Sequence, residues 1–126
     1  MHRILIIDDD EGVLSVFAKI FRQEGYEVEL AEDGKMGIEK LLAYPADVVI
    51  TDIIMPNMEG LETIGKIKEA RPESRIIAIS GGGFNPAEPY LRNAILLGAD
   101  STMKKPCKIR ELLAEVQRLV ASPAGS

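Results

Sequence analysis

Five short apolar segments alternate along the chain with five longer segments of helical periodicity. The short segments begin near residues 3, 27, 47, 75 and 99, and most are rich in β-branched residues. Near-continuous apolar runs of this length are typical of strands buried on both faces of a parallel sheet. The second segment, residues 26–31, alternates apolar and charged residues instead, which indicates an edge strand with one wet face. The pattern therefore predicts five strands.

Each strand is followed by apolar residues spaced as in an amphipathic helix. The predicted apolar stripes are Val13, Val16, Phe17, Ile20 and Phe21, then Met36, Ile38, Leu41 and Leu42, then Leu61, Ile64 and Ile67, then Tyr90, Leu91, Ala94, Ile95 and Leu97, and finally Ile109, Leu112, Leu113, Val116, Leu119 and Val120. Gly25 and Gly98 are predicted to end the first and fourth helices. Repeated strand–helix alternation predicts an α/β fold, a parallel sheet with helices on both faces.

Polar residues follow four of the predicted strands at the point where each strand ends. They are Asp8 and Asp9, Asp52, Ser80, and Lys104 or Lys105. In sheets of this kind ligands bind beyond the carboxyl ends of the strands, where the winding reverses. We therefore expect these side chains to share one edge of the sheet. Asp10, the third acid after the first strand, is predicted to cap the first helix.

Composition limits the classes of protein to which this chain can belong. Its 126 residues suit one domain, predicted over residues 1–121, with 122–126 as a disordered tail or linker stub. Apolar residues make up 46% and charged residues 28%, as in ordinary globular proteins. No apolar run approaches a membrane span, and the N-terminal residues do not resemble a signal peptide. A cytoplasmic location is expected.

The scarce residue types exclude several kinds of site. Cys107 is the only cysteine and His2 the only histidine, so a disulfide framework, a catalytic triad and a cysteine- or histidine-based zinc site are excluded. The net charge of −5 disfavours direct binding to nucleic acid and favours a divalent cation.

Three carboxylates meeting at one edge would form an all-oxygen metal site. Asp8, Asp9 and Asp52 can converge because neighbouring strands lie only about 4.8 Å apart. Mg²⁺ is the expected ion, since it accepts one or two carboxylates, keeps several waters and leaves room for a phosphate group. An acidic run such as residues 8–10 is, by itself, more often a solvated loop.

Adding a hydroxyl and a lysine to the acids points to phosphoryl chemistry. A phosphoryl group is stabilised by a metal, a cation and hydrogen-bond donors, which here would be Mg²⁺, a lysine and Ser80. The nucleophile would be a carboxylate, with Asp52 the best placed on the central strand. Lys105 is the preferred lysine, because a cis bond before Pro106 would aim it inward. Lys104 is the second choice.

Together these segments resemble the response-regulator receiver domains of bacterial two-component signalling. The resemblance rests on residues 6–10 (IIDDD), 51–60 (TDIIMPNMEG), Ser80, 98–100 (GAD) and 105–106 (KP), and it covers essentially the whole chain. It implies a flavodoxin-like, doubly wound five-stranded parallel sheet of order 2-1-3-4-5. It also implies a signalling receiver, not an ordinary enzyme, whose only catalysis is its own Mg²⁺-dependent phosphoryl transfer and slow dephosphorylation.

The same resemblance implies roles for individual residues. Asp52 would accept a phosphoryl group from a sensor histidine kinase or a phosphotransfer protein and switch an output protein or domain. Asp9 and Asp52 would bind Mg²⁺ directly, Asp8 largely through water, and the Ile54 carbonyl would be a further ligand. Ser80 and Lys105 would bind the phosphoryl oxygens. A phosphorylation-dependent homodimer is an open expectation.

Two features depart from the family pattern. Thr102 stands where these domains commonly carry a tyrosine or phenylalanine that couples the site to the surface of the fourth and fifth helices. The segment after Ser80 is longer than expected and contains Gly81–Gly83, so we hypothesise that ordering of this loop replaces the aromatic switch. Cys107, where an aromatic is common, is assigned no role.

Competing functions can be ranked by residues already named. A receiver-fold interaction module that takes no phosphate is the main alternative, although the complete set of acids, hydroxyl and lysine argues against it. A phosphatase with an aspartate nucleophile would need a second Asp two residues after Asp52, where this chain has Ile54. A flavin carrier is disfavoured by an aromatic content of 5%.

Overall fold

A computed structural model of the chain contains a five-stranded parallel sheet in the order β2-β1-β3-β4-β5. It describes residues 2–53, 60–80, 88–105 and 108–121, with only the backbone for 88–91. The elements are β1 (Arg3–Ile7), α1 (Glu11–Gln23), β2 (Glu27–Ala31), α2 (Gly34–Ala43), β3 (Val48–Asp52), α3 (Gly60–Ala70), β4 (Arg75–Ser80), α4 (Glu88–Leu97), β5 (Ser101–Lys104) and α5 (Ile109–Ala121). The predicted fold class and strand order are confirmed. The boundaries shift only slightly, most at β5, which begins two residues later than predicted.

Each face of the sheet carries its own apolar core because side chains alternate along the strands. On one face, residues such as Leu5, Val49 and Ile76 pack with buried residues of α2, α3 and α4. On the other, residues such as Ile6 and Ile50 pack with α1 and α5. The central strand β3 is buried along its whole length, so its carboxyl end, with Asp52, is held rigidly in the middle of the sheet.

Two of the predicted helix stripes were partly wrong. In α1 the buried residues are Leu14, Ala18 and Phe21, whereas Val16 is 55% exposed. The small Ala18 lets the helix approach the sheet closely, and a face centred on it turns Val16 outward. In α2, Leu42 is 57% exposed for the same reason, because the buried face is set by Gly37 and Leu41.

The predicted stripe of α4 was also too wide. Ala94 is fully buried, whereas Ile95 and Leu97 are 49% and 43% exposed. The side chains of Tyr90 and Leu91, which belong to the same predicted stripe, lie outside the described residues. The stripes of α3 and α5 are confirmed, with Ile64 and Ile67 buried in α3, and Leu112, Val116 and Leu119 buried in α5.

Helix ends follow the predicted capping chemistry. The Asp10 side chain accepts hydrogen bonds from the backbone N–H groups of Gly12 and Val13, so it is the N-cap of α1. Asp33 caps α2 in the same way, although it was not predicted as a helix cap. Gly25 and Gly98 have φ values of 94° and 122°, the left-handed region that favours glycine, and they follow α1 and α4 as predicted.

At the amino-terminal edge of the sheet, polar side chains bind backbone groups of neighbouring segments. An Asp47 carboxylate oxygen accepts from the Arg3 N–H at 2.8 Å, and an Asp100 oxygen accepts from the Ile76 N–H at 2.8 Å. The buried Ser74 hydroxyl donates to the Ala46 carbonyl at 2.6 Å. Within the described ranges, no helix has the length and apolar character needed to cross a bilayer.

Candidate functional site

The carboxyl end of the sheet brings the predicted acids together. Ile7 pairs with Thr51, so the next residues on β1 and β3 lead Asp8 and Asp52 side by side. Asp8 and Asp52 are 4% and 6% exposed, whereas Asp9 is exposed. One carboxylate oxygen from each of the three lies within 4.8 Å of the others. This is the convergence that the strand order predicted.

Backbone contacts fix the orientation of Asp8. Its own N–H donates to the Ala31 carbonyl at 3.1 Å, which ties it to the end of β2. One of its carboxylate oxygens accepts from the Asp10 N–H at 2.9 Å. Asp10 therefore supports the site through its backbone and α1 through its side chain, which explains why three acids follow one strand.

Lys105 supplies the positive charge of the site. Its backbone N–H donates to the Ser80 carbonyl at 2.8 Å, which extends the pairing of β4 and β5 by one step. Its ammonium Nζ lies 2.8 Å from an oxygen of Asp52 and 3.2 Å from an oxygen of Asp8. Lys104, the second choice, lies at the end of β5 with its side chain exposed. Of the two lysines, Lys105 is the one in contact with both buried acids.

Burial and neighbouring charges shift the pKa values of Asp8 and Lys105. Burial raises the pKa of the Asp8 carboxyl, although the Asp10 N–H and the Lys105 ammonium pull it down. Burial by itself would lower the pKa of Lys105, but its hydrogen bonds and charge interactions with Asp52 and Asp8 outweigh that effect and raise it. The charged form of Lys105 is therefore stabilised, whereas burial destabilises the ionised form of the Asp8 carboxyl.

Ser80 is the one buried polar side chain of the described residues whose side-chain oxygen lacks a hydrogen-bond partner. It ends β4, beside β3, and is 0% exposed. An unsatisfied buried hydroxyl costs free energy, and such groups in native proteins usually have a function to explain them. The Ser80 Oγ is therefore a buried polar atom that the described residues leave unsatisfied.

Gly60, the last residue of the segment 51–60, is important for the geometry of the site. A Cβ on Gly60 would lie 2.0 Å from the Ile53 Cα, much closer than any real contact. The Gly60 N–H also donates to the Ile53 carbonyl at 3.2 Å, and the Ile53 N–H donates to the Ile79 carbonyl at 3.0 Å. Ile53 directly follows Asp52, so this contact helps to hold the phosphoacceptor candidate. No local sequence pattern signals a contact of this kind.

Several predicted features lie outside the described residues. They are the Ile54 carbonyl, the Gly81–Gly83 loop, the cis bond before Pro106, Cys107 and the tail at 122–126. Thr102 is described: it pairs with Ala78 on β4 and is half-buried. Because Ala78 belongs to the core under α2, α3 and α4, Thr102 lies on that face of the sheet, the same face as Ser80.

The donor set fits a magnesium ion. Carboxylate oxygens are hard ligands, and Mg²⁺ prefers one or two of them together with waters and phosphate oxygens. The exposed Asp9 gives access from solvent, while Asp8 and Asp52 offer oxygens from the buried side. The Lys105 ammonium, which contacts both buried acids, makes the site suited to an anion bound next to a cation.

Comparison with known proteins gives a consistent result. The sequence profile of the response regulator receiver domain matches residues 4–117. The transcriptional regulatory protein DltR of Streptococcus agalactiae is 32% identical over 116 residues, which is 91% of this chain and 50% of that protein. The chemotaxis protein CheY of Treponema pallidum is 35% identical over 118 residues, 91% of this chain and 80% of that protein. The chain thus spans about half the length of DltR.

Solved structures agree with the sequence comparison. A CheY-like receiver domain protein from Methanospirillum hungatei superposes with a TM-score of 0.87 at 33% identity, covering 96% of this chain and 95% of that one. The response regulator TrrA of Thermotoga maritima, solved in complex with Mg²⁺ and BeF, has a TM-score of 0.80 at 30% identity, covering 94% of this chain and 99% of that one. The profile match alone covers most of the chain, and the chain belongs to the response regulator receiver domain family.

Proposed function

We propose that this receiver domain accepts a phosphoryl group on Asp52 and that the resulting aspartyl phosphate switches a downstream partner. The observation that carries the proposal is the set of groups at the carboxyl end of the sheet. Three carboxylates converge there with the Lys105 ammonium, and Ser80, whose buried hydroxyl has no partner among the described residues, ends the neighbouring strand β4. A phosphoryl group with a bound Mg²⁺ is the ligand that uses all of these groups at once.

Asp52 is the nucleophile in this proposal. An oxygen of its carboxylate forms the new bond to phosphorus while the bond from phosphorus to the imidazole nitrogen of a donor histidine breaks, and that nitrogen keeps the electron pair. Asp52 is buried at the end of the central strand, so its carboxylate is held in place before the reaction. The donor is a histidine kinase or a phosphotransfer protein, as the family implies.

Asp8, Asp9 and Asp52 would hold Mg²⁺, with the Ile54 carbonyl as a further ligand. When bound, the ion would neutralise negative charge on the phosphoryl oxygens and on the acids around them. TrrA, a relative of the same fold, was solved with Mg²⁺ and BeF, which supports the assignment. Burial raises the pKa of the Asp8 carboxyl, so a second cation beside Lys105 would stabilise its ionised form.

Lys105 and Ser80 would steady the transferred group. The Lys105 ammonium already lies 2.8 Å from Asp52, so it needs to move little to bind an oxygen of the phosphoryl group attached there. The Ser80 hydroxyl would donate to another oxygen and thereby gain the partner that it lacks. The Gly81–Gly83 loop, which follows Ser80 directly, is retained as the hypothesised route by which phosphorylation alters the surface.

Incubation with acetyl phosphate and Mg²⁺, followed by intact mass measurement, tests the proposal. We expect the protein to gain the mass of one phosphoryl group, and to gain none when EDTA replaces Mg²⁺. Asp52→Asn should abolish the gain. Asp10→Asn is the matched control: Asn caps helices as well as Asp does, and the Asp10 side chain binds α1 instead of the pocket.

Two results would contradict the proposal. If the natural protein never gains the phosphoryl mass, the phosphate-independent interaction module becomes the better description. If Asp52→Asn gains it as readily as the natural protein, the acceptor is elsewhere. The output partner and a phosphorylation-dependent homodimer remain proposals, because the chain spans only about half of relatives such as DltR.

A further inference from the structure

One of the two edges of the sheet is formed by β2, which pairs with β1 alone in the described part of the chain. The Glu27 N–H donates to the His2 carbonyl and the Ala31 carbonyl accepts from the Asp8 N–H, so alternate residues from Glu27 to Ala31 bond toward β1. The residues between them, Val28 and Leu30, therefore direct their backbone groups away from the sheet. Unpaired groups at such an edge are a template for another strand.

Two cationic side chains occupy the outward carbonyls of this edge. Arg22, in the last turn of α1, donates from its guanidinium to the Val28 carbonyl at 3.2 Å. Lys40, near the end of α2, donates from its ammonium to the Leu30 carbonyl. The two helices pack on opposite faces of the sheet, so the edge is closed from both sides. Both outward carbonyls of the strand are thus bound.

We propose that Arg22 and Lys40 close the β2 edge against strand addition by a second copy of this chain. A second copy is the relevant occupant because it carries the same edge, and two copies related by a two-fold axis would pair their β2 strands antiparallel. An open groove of about 820 Å³, lined by residues of α1, β2 and α2 that include Arg22 and Lys40, leaves the edge within reach of another chain. The two cations therefore stand directly in the path of a strand.

Glu29 adds an electrostatic barrier to the same pairing. When Val28 of one copy pairs with Leu30 of the other, the two Glu29 residues face each other directly, and like charges in that position destabilise a pair of strands. Glu29 is also bound by Lys40 at 3.1 Å and by Arg3 at 3.3 Å within its own chain. The edge therefore combines occupied carbonyls with a repelling charge, two known ways of preventing association.

The test removes these barriers stepwise and measures association. Arg22→Ala/Lys40→Ala and the same pair combined with Glu29→Thr are compared with the natural protein by sedimentation from micromolar to millimolar concentration. Alanine has the highest helix propensity, so both helices are expected to form. We expect weak self-association in the double variant and a concentration-dependent dimer in the triple variant. In that dimer the Val28 and Leu30 amides should exchange about tenfold more slowly, as expected for a gained hydrogen bond.

A matched control removes two other surface cations. Lys19→Ala/Lys66→Ala loses the same charge from exposed helix positions, and neither lysine makes the two carbonyl contacts described above. It should remain a monomer under conditions where the triple variant dimerises. The proposal is overturned if the triple variant stays monomeric, or if it dimerises with the Val28 and Leu30 amides unchanged. Neither result would bear on phosphorylation of Asp52, which lies at another edge.

Discussion

The two ends of the sheet use polar side chains in opposite ways. At the amino end, Asp47, Ser74 and Asp100 each bind a backbone group of a neighbouring segment. At the carboxyl end, Asp8 and Asp52 share the ammonium of Lys105, and the buried Ser80 hydroxyl has no partner among the described residues. At the amino end the buried serine is paired within the fold, whereas at the carboxyl end the buried serine has no partner among the described residues.

This contrast separates two kinds of buried hydroxyl. Polar groups that are paired within the fold contribute to stability, and removing one partner leaves the other buried and unsatisfied. The Ser80 hydroxyl, which has no partner among the described residues, lowers stability instead, and such a cost is typical of sites prepared for binding. The difference can be measured, because buried serines occur at both ends and the same substitution can be made in each.

The largest expected effect is at Gly60, a tightly packed residue at the carboxyl end of the sheet. Gly60→Ala should lower the free energy of unfolding by about 3 kcal/mol or more, because a Cβ would lie 2.0 Å from the Ile53 Cα. Backbone must shift to accept it, and Ile53 follows Asp52. Thermal and urea unfolding measure the loss, and phosphoryl uptake from acetyl phosphate should fall with it.

Gly65→Ala, in the same helix, is the matched control for Gly60→Ala. A Cβ at Gly65 meets nothing within 4 Å, and alanine is favoured over glycine in a helix by roughly 0.5–1 kcal/mol. We therefore expect this variant to be more stable than the natural protein. Equal losses in both variants would mean that helix α3 tolerates no added methyl group, and the argument for a specific contact at Gly60 would be wrong.

The next effect, at the amino end, should be a clear loss of stability. Ser74→Ala removes the donor to the Ala46 carbonyl, and Ser74 is 0% exposed. Leaving that buried acceptor unsatisfied should cost about 1–3 kcal/mol in urea unfolding. Phosphoryl uptake by the folded protein should not change, since the residue lies at the opposite end from Asp52. If Ser74→Ala is as stable as the natural protein, the hydrogen bond of Ser74 contributes no stability, and the proposed difference between the two ends is wrong.

A smaller effect of opposite sign is expected at the carboxyl end. Asp8→Asn keeps an oxygen to accept from the Asp10 N–H and removes a buried charge, while Lys105 keeps Asp52 as its partner. In EDTA the variant should be more stable than the natural protein, by on the order of 1 kcal/mol. In Mg²⁺ the natural protein should recover this difference, because the variant lacks one of the three acids.

The pH dependence of that difference follows from the raised pKa of Asp8. The folded protein holds the proton of this carboxyl more tightly than the unfolded chain does, so the benefit of the protonated form is complete below the unfolded value of 3.8. It is lost as pH rises through the folded pKa. The stability gap between Asp8→Asn and the natural protein in EDTA should therefore be widest near neutral pH and should close as pH falls toward 3.8. A gap that widened in acid would reverse the assigned sign.

Most residues that meet at the carboxyl end could be predicted from the sequence, because their positions follow from where each apolar run ends along the chain. A strand ends where its apolar run ends, and the residue that follows must lie at the edge of a parallel sheet. That rule led from the runs ending at Ile7 and Thr51 to the neighbouring positions of Asp8 and Asp52. Lys105 was preferred over Lys104 only on the expectation of a cis bond before Pro106, whereas the contacts of its ammonium with Asp8 and Asp52 distinguish it directly.

The features that escaped prediction depend on close approach in three dimensions. Ala18 was absent from the predicted stripe of α1, because a small residue carries little weight in apolar periodicity, yet it is 2% exposed. Ala94 was in the predicted stripe of α4, but its larger neighbours Ile95 and Leu97 are more exposed than the pattern suggested. The Gly60 contact depends on how α3 meets the end of β3. Arg22 and Lys40 look like ordinary surface cations until the sheet shows that both reach the same exposed edge.

The smallest expected effect gives the most direct test of the contrast. Ser80→Ala removes a hydroxyl from a serine that is 0% exposed, as Ser74→Ala does. The Ser80 hydroxyl has no hydrogen-bond partner among the described residues, so its removal leaves no acceptor unsatisfied. We expect the free energy of unfolding in EDTA to change by less than about 0.5 kcal/mol or to rise, because an unsatisfied buried hydroxyl contributes no stability. Phosphoryl uptake should slow, since Ser80 would stabilise a phosphoryl oxygen. If both serine variants lose the same stability, Ser80 is a structural hydroxyl like Ser74, and the carboxyl end does not hold it ready for a ligand.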